Sequence, residues 1–274
     1  MNRCGVGHFG SGCSLATKIA VANQKGGVGK TTTTANLGVA MARDEKRVLL
    51  VDMDPQSNLT AAFGLERNLA ETLTQALIDR DRPLPILRVA DASGIEVDIV
   101  PASLDMTTVE TALASRIGRE MRLRDKLRKI EEDYDFILID TPPSLGLLTV
   151  NSLVAAEYVV VPTEARFFSL QGLEMLKESI NEVLYINPNL RILGILLSKL
   201  DRRLREEKSV AEFIREEWGD TAFSAYIPTN SKILEASSNG VSLYAYKKNR
   251  TSTPGLRLAI GSYEELAKEV AERV

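Results

Sequence analysis

The sequence predicts a single α/β domain: a doubly wound, mostly parallel, twisted sheet flanked by helices. Three observations carry this expectation. Seven short runs are continuously rich in Val, Ile and Leu, as strands buried on both faces are. Segments with apolar residues at helical spacing lie between most of them. A glycine-rich stretch, Lys25-Gly-Gly-Val-Gly-Lys-Thr-Thr32, joins the first run to a helix-like one. Alternation of strand and helix over the full length is the pattern of a parallel sheet covered on both faces.

In chain order, the expected strands occupy residues 18–23, 47–51, 97–101, 136–140, 158–162, 191–198 and 223–227. The first contains Ile19-Ala-Val-Ala22 and leads into the glycine loop, and residues 33–42 follow that loop as a helix. The segment 80–93 is polar, contains two prolines and reads as a surface excursion rather than a domain boundary. Leu170, Leu173, Leu176, Ile180, Val183 and Leu184 recur at helical spacing, so residues 169–185 form an amphipathic helix whose stripe packs on the core. Ser169 caps its start and Asn187-Pro188 ends it. Neither a Pro/Gly linker nor an internal repeat interrupts the pattern, so residues 17–274 are expected to form one domain and residues 1–16 a flexible Gly/Ser-rich tail.

Composition excludes several classes. The chain has 274 residues, 44% hydrophobic and 26% charged, which supplies an ample core and an ordinary soluble surface. Its longer apolar runs span about four to six residues, far below the ~18 needed to cross a bilayer. Residues 1–16 lack the continuous apolar core of a signal peptide, so a cytoplasmic protein is expected. The net charge of −3 means that any nucleic-acid binding would come from a local patch. Cys4 and Cys13, with His8 between them, are an incomplete metal set in the tail. His8 is the one histidine, so His-based acid–base or triad chemistry is not expected in the folded body.

The loop carries the chemistry. Gly26, Gly27 and Gly29 allow a tight backbone whose N–H groups point inward, with a helix N-terminus set against a phosphate chain. Lys30 can reach the β/γ-phosphates and the Thr31 hydroxyl can sit on Mg²⁺. The strict P-loop pattern wants a glycine where Gln24 stands, and a second lysine, Lys25, opens the loop instead. Asp52 and Asp54 follow the second strand, at the carboxyl end where ligands of α/β sheets bind. Asp140 ends the strand 136–140 and precedes Thr141-Pro-Pro-Ser144, whose prolines restrict the backbone.

Two lysines flanking Gly-Gly-Val-Gly, followed by Thr-Thr, resemble the deviant Walker A motif of the ParA/MinD ATPases. The resemblance continues in Val51-Asp-Met-Asp-Pro-Gln56, Ile139-Asp-Thr-Pro-Pro-Ser144 and Ile227-Pro-Thr-Asn230, in family order, and covers the chain from about Lys18 onward. It is strongest toward the short ParA/Soj partition proteins. The resemblance implies a P-loop NTPase fold and a slow ATPase switch that uses ATP and Mg²⁺. It implies a nucleotide site of Lys25, Gly26, Gly27, Val28, Gly29, Lys30, Thr31 and Thr32, with Pro228 and Asn230 flanking the adenine. It implies catalytic roles for Lys25, Lys30 and Asp54, with Lys25 crossing to the partner's phosphates in an ATP-dependent homodimer and Asp54 positioning the attacking water. Thr31, Asp52 and Asp140 would serve the Mg²⁺ ion, Asp140 through water. Residues 52–56 and 141–144 would be the two switches.

The same resemblance implies non-specific double-stranded DNA binding. Arg203 and Lys232 match a basic residue in the Asp-x-Arg turn and one just beyond Ile-Pro-x-Asn. Arg202, Arg205 and Lys208 surround the first, with Glu206 and Glu207 close by, and Lys247, Lys248 and Arg250 form a further basic cluster. Lys/Arg contacts to phosphate make such binding salt-sensitive. A ParB-like partner would stimulate hydrolysis and release, placing the protein in the cytoplasm on the nucleoid. Two alternatives stay open: a relative that positions a protein cargo, and a MinD-like membrane-associated division-site regulator, although the chain itself is expected to have no stable membrane anchor. The second needs a basic amphipathic C-terminal helix, which Glu264, Glu265, Glu269 and Glu272 oppose. An iron–sulfur reductase is rejected, because both cysteines precede the loop.

Overall fold

The computed structural model describes residues 15–66, 69–90, 93–166, 169–248 and 253–274; the side chains of 169–173, 247 and 248 lie outside that description. Among the described residues eight strands form one sheet. They are β1 (Thr17–Val21), β2 (Val48–Asp52), β3 (Leu87–Ala90), β4 (Glu96–Val100), β5 (Phe136–Asp140), β6 (Tyr158–Glu164), β7 (Arg191–Leu200) and β8 (Ala222–Pro228). Their spatial order is β3-β4-β2-β5-β1-β6-β7-β8, and β3–β4 is the one antiparallel pair. Registers align Val21 with Asp140 and Asp140 with Asp52. The loop after β1 and two of the predicted acids therefore emerge side by side at the carboxyl edge.

Helices are α1 (Lys30–Arg43), α2 (Asn58–Ala62), α3 (Leu73–Ile78), α4 (Val109–Leu113), α5 (Arg122–Leu127), α6 (Leu147–Ala155), α7 (Ser169–Val183), α8 (Arg205–Trp218), α9 (Ser231–Ser238), α10 (Leu243–Lys248) and α11 (Pro254–Arg273). Alternate strand residues face opposite layers, as a period of two requires. Leu49, Val51, Ile137 and Ile139 pack with α3 to α8, whereas Val48, Leu50, Phe136 and Leu138 pack with α1, α2 and α9 to α11. Each such buried aliphatic side chain stabilises the fold by about 1.5–3 kcal/mol. The sheet thus lies between two helical layers, which is the predicted doubly wound class.

Three differences from the sequence reading have physical causes. The segment 80–93 is not only a surface excursion: residues Leu87–Ala90 form β3, an edge strand whose Arg88 forks onto Asp98 at 2.9 and 3.1 Å. Strands β6 and β7 run on to Glu164 and Leu200, carrying Glu164 and Lys199 to the site edge. Helix α7 stops at Val183, where the Asn187 N–H closes onto the Val183 carbonyl at 2.8 Å. Leu176, Ile180 and Val183 are buried as expected, while the side chains of Ser169, Leu170 and Leu173 lie outside the described residues. So do Cys4, His8 and Cys13.

Candidate functional site

The loop between β1 and α1 has a fixed shape. Gly27 and Gly29 hold φ of +75° and +91°, a region that costs other residues strain. Side chains from neighbouring strand ends hold the loop in place. Asn23 Nδ2 donates to the Pro162 carbonyl at 2.7 Å, while its Oδ1 accepts from the Lys25 N–H at 2.9 Å. Ser198 Oγ donates to the Val28 carbonyl at 2.7 Å, and Lys199 Nζ donates to the Gly27 carbonyl. Lys30 Nζ folds back to the Lys25 carbonyl at 3.2 Å. Burial lowers the Lys30 pKa, against the pull of Asp140 and Asp54.

Three acids converge beside it. Thr31 Oγ1 donates to Asp140 Oδ2 at 2.7 Å, and Thr34 Oγ1 approaches Asp140 Oδ1 at 3.5 Å. Asp140 is fully buried, and burial first, then the charge of Asp52, raises its pKa well above the carboxylate range. Asp52 is pushed up to about 6, again chiefly by burial, although Thr60 and the Asp54 N–H stabilise its ionised form. Its Oδ2 accepts from Thr60 N and Oγ1 at 2.8 and 2.7 Å, and its Oδ1 accepts from the Asp54 N–H at 3.1 Å. Asp52 therefore pins the turn that carries Asp54. Asp54 is buried, accepts from the Gln56 N–H at 2.9 Å, and leads to Ser57, held at φ of 52°. Thr141 Oγ1 ties the second predicted switch to the Val21 carbonyl at 2.9 Å.

Sequence reasoning missed Glu164 and Lys199. Lys25 Nζ lies 2.9 Å from Glu164 Oε2, and Lys199 Nζ lies 3.2 Å from Glu164 Oε1. Burial works against ionisation of Glu164, yet the two lysines outweigh it and hold its pKa below the ordinary value. The lysine predicted to cross to a partner is thus tethered within its own chain. Glu164 carried no local signal, since 139 residues separate it from Lys25.

Pro228 ends β8, and Asn230 caps α9. Asn230 Oδ1 accepts from the Lys232 N–H at 2.8 Å and Nδ2 donates to the Gly255 carbonyl at 2.7 Å. One N–H and one lone pair of the amide are left over from these two bonds. Arg203 sits in the turn after β7 and Lys232 in the first turn of α9, and the two segments are joined where the Thr229 N–H meets the Leu200 carbonyl at 3.1 Å. Arg203 is 89% exposed and forked onto Asp201, and Lys232 is paired with Glu235 at 2.7 Å. The Lys247 and Lys248 side chains, and Arg250, lie outside the described residues. A cleft of about 690 Å³ opens at the opposite, amino-terminal edge of β6 to β8, lined by Arg191, Phe223 and Arg273, with none of the predicted residues in it.

Comparison with known proteins follows the same lines. The family model described as an AAA domain matches residues 16–192. The chain is 38% identical over 255 residues to the sporulation initiation inhibitor protein Soj of Bacillus subtilis, spanning 92% of this chain and 97% of that one. It is 41% identical over 231 residues to the chromosome partitioning protein ParA of Myxococcus xanthus, spanning 83% and 81%. Among solved structures, cobyrinic acid a,c-diamide synthase of Mycobacterium smegmatis, crystallised with an ATP analogue and magnesium, superposes with a TM-score of 0.79 at 32% identity over 93% of each chain. A variant of McdA from Cyanothece, in complex with ATP, shares the fold, with a TM-score of 0.78 at 23% identity over 95% of this chain and 98% of that one.

Proposed function

The chain belongs to the ParA/Soj family of partition ATPases, and from that premise we propose that it is an ATP-driven switch that segregates DNA. The observation that carries this reading is the convergence at one sheet edge of the two-lysine loop, Asp54 and the 2.7 Å Thr31–Asp140 pair. The loop backbone from Gly26 to Thr32 and Lys30 would hold the phosphates of ATP, with Pro228 and Asn230 beside the adenine. No group of three or more His, Cys, Asp or Glu side chains among the described residues forms a metal centre. The hard oxygens of half-buried Thr31 and buried Asp140, supported by Asp52, instead fit Mg²⁺, which takes one or two protein ligands plus substrate phosphates. Bound there, Mg²⁺ would neutralise charge on the β- and γ-phosphates.

Phosphoryl transfer is mainly positioning and charge neutralisation. Asp54 orients the attacking water through its carboxylate. Lys25 leaves Glu164 and crosses to the phosphates of a second copy, so ATP drives dimerisation. The dimer binds DNA non-specifically through Arg203, Lys232, Lys247 and Lys248. A ParB-like partner stimulates hydrolysis and release, and the protein works in the cytoplasm on the nucleoid.

Light scattering with each nucleotide tests the reading. ATP with Mg²⁺ should convert monomers to dimers and ADP should not; dimers of equal strength in ADP would refute it. Asp54→Ala should trap the ATP dimer with turnover lost, while unchanged turnover would remove Asp54 from the water-positioning role.

A further inference from the structure

Lys25 and Lys199 share one carboxylate. Lys25 Nζ lies 2.9 Å from Glu164 Oε2 and Lys199 Nζ lies 3.2 Å from Glu164 Oε1, so each lysine has an oxygen of its own. Arg166 stands farther off, its Nε 3.8 Å from Oε2 and its side chain mostly exposed. The Glu164 side chain is 13% exposed, and burial opposes its ionised form before the hydrogen bonds from Lys25 and then Lys199 prevail. A carboxylate so placed is costly to leave without a close cation.

Lys199 is fixed at both ends. Its Nζ also donates to the Gly27 carbonyl of the phosphate loop. Its own carbonyl accepts from Thr229 Oγ1 at 2.6 Å, and the adjoining Leu200 carbonyl accepts from the Thr229 N–H at 3.1 Å. The residue holds φ of +52°, where a side chain strains the backbone and persists only when the surroundings impose it. The Lys199 ammonium is therefore kept beside Glu164 whichever way Lys25 points.

We propose that Lys199 is a positioning residue, the standing counter-cation of Glu164, which frees Lys25 to exchange that carboxylate for phosphate. The role rests on the reading in which Lys25 crosses to a second copy's nucleotide. With Lys199 in place, the departure of Lys25 leaves Glu164 paired. Two ammonium groups on one carboxylate also repel each other, which loosens the one that can move. Without Lys199, Lys25 becomes the main cation of Glu164 and is held harder. Lys199 thus sets the ease of release through Glu164 rather than through the phosphates.

Sedimentation of the full chain with Mg²⁺ and saturating β,γ-imido-ATP tests this as a double-mutant cycle of Lys199→Met and Glu164→Gln. Lys199→Met should weaken the dimer about tenfold, since each protomer then holds its own Lys25 harder. Lys199→Arg keeps a cation and should stay within about twofold of the native chain, and Lys199→Met added to Glu164→Gln should change the dimer by less than about twofold. If Lys199→Met does not fold, Lys199→Gln takes its place with the same expectations. An equal loss in both backgrounds would mean that Lys199 acts by holding the Gly27 carbonyl, and it would overturn the proposal. So would a Lys199→Met dimer as strong as the native one. The nucleotide-free monomer gives a second readout, the rate at which acetic anhydride modifies the Lys25 amine, followed by mass spectrometry. Lys199→Met should slow that rate about threefold, and should leave it unchanged in the Glu164→Gln background. If the native chain stays monomeric with the nucleotide, the switch reading fails and the acetylation rates alone decide. A Lys25 rate unchanged or raised by Lys199→Met overturns the proposal in either case.

Discussion

Lys25 holds Glu164 in this structure and is proposed to serve a second site across a dimer. In this structure its ammonium is 2.9 Å from Glu164, and the pair is partly exposed, at 36% and 13%. Such a pair is worth about 0.5–1 kcal/mol. Glu164→Gln removes the tether in both protomers, about 1–2 kcal/mol in all, and should strengthen the ATP dimer by about five- to thirtyfold in dissociation constant. Sedimentation at sub-saturating ATP reads this, and a weaker dimer would show that Glu164 supports the assembled state instead. The buried acids make a second prediction at this scale. Asp52 has a folded pKa of about 6 against an unfolded value near 3.8. Between these values the folded state binds more protons than the unfolded one, so this contribution to stability falls as pH rises from about 4 through about 6. Asp140 shifts in the same direction. Binding of Mg²⁺ with ATP favours the ionised carboxylates and should release protons near pH 6. Calorimetry in buffers of different ionisation enthalpy measures this, and zero release at pH 6 would contradict the raised values.

Elements differ in how plainly the sequence announces them. Strands β1, β2 and β5 are buried throughout or nearly so, and continuous apolar runs betray them. Strand β3 escapes because it is a four-residue edge strand, half wet and preceded by Pro83 and Pro85, whose Arg88 faces Asp98 across the pair. Its sequence resembles a loop, and only the partner β4 makes it a strand. The same division runs through the site. The loop and its acids are local patterns, whereas Glu164 and Lys199 matter through contacts made only once β6 and β7 lie beside β1. Strand β7 also offers a packing test. It bulges at Leu193, and Gly194 then lies under the fully buried Phe223 ring, where an added Cβ would come within 2.3 Å of the ring. Arg273 stacks 4.3 Å from that ring and limits its retreat. Gly194→Ala should cost about 1–3 kcal/mol by overpacking. That corresponds to a Tm fall of about 2–4 °C per kcal/mol in differential scanning calorimetry; an unchanged Tm would mean the ring moves freely.

At the scale of the whole molecule, the proposed DNA switch and a membrane regulator make different demands on the surface. No described helix is long and apolar enough to cross a membrane. The apolar face of α11, with Leu256, Ile260, Tyr263, Leu266 and Val270, is buried against the sheet and α1, so it is not offered to lipid. Under the proposed function, DNA binding would work against a net charge of −3. Arg203 and Lys232 already hold Asp201 and Glu235, but such surface pairs are worth about 0.2–1 kcal/mol and exchange readily for phosphates. One chain should therefore bind weakly. An ATP dimer would present two copies of Arg203, Lys232, Lys247 and Lys248, doubling the phosphates neutralised. The slope of log affinity against log salt is about −0.9 per phosphate, so it should roughly double as well. Titration of the ATP-bound Asp54→Ala protein with random-sequence duplex at several salt concentrations measures that slope. Lys232→Glu combined with Arg203→Glu should abolish binding while sparing the dimer, because neither residue lies in the phosphate loop. Affinity that ignores salt, or that persists in the double variant, would move the DNA contacts elsewhere and strengthen the reading in which the same ATPase positions a protein cargo.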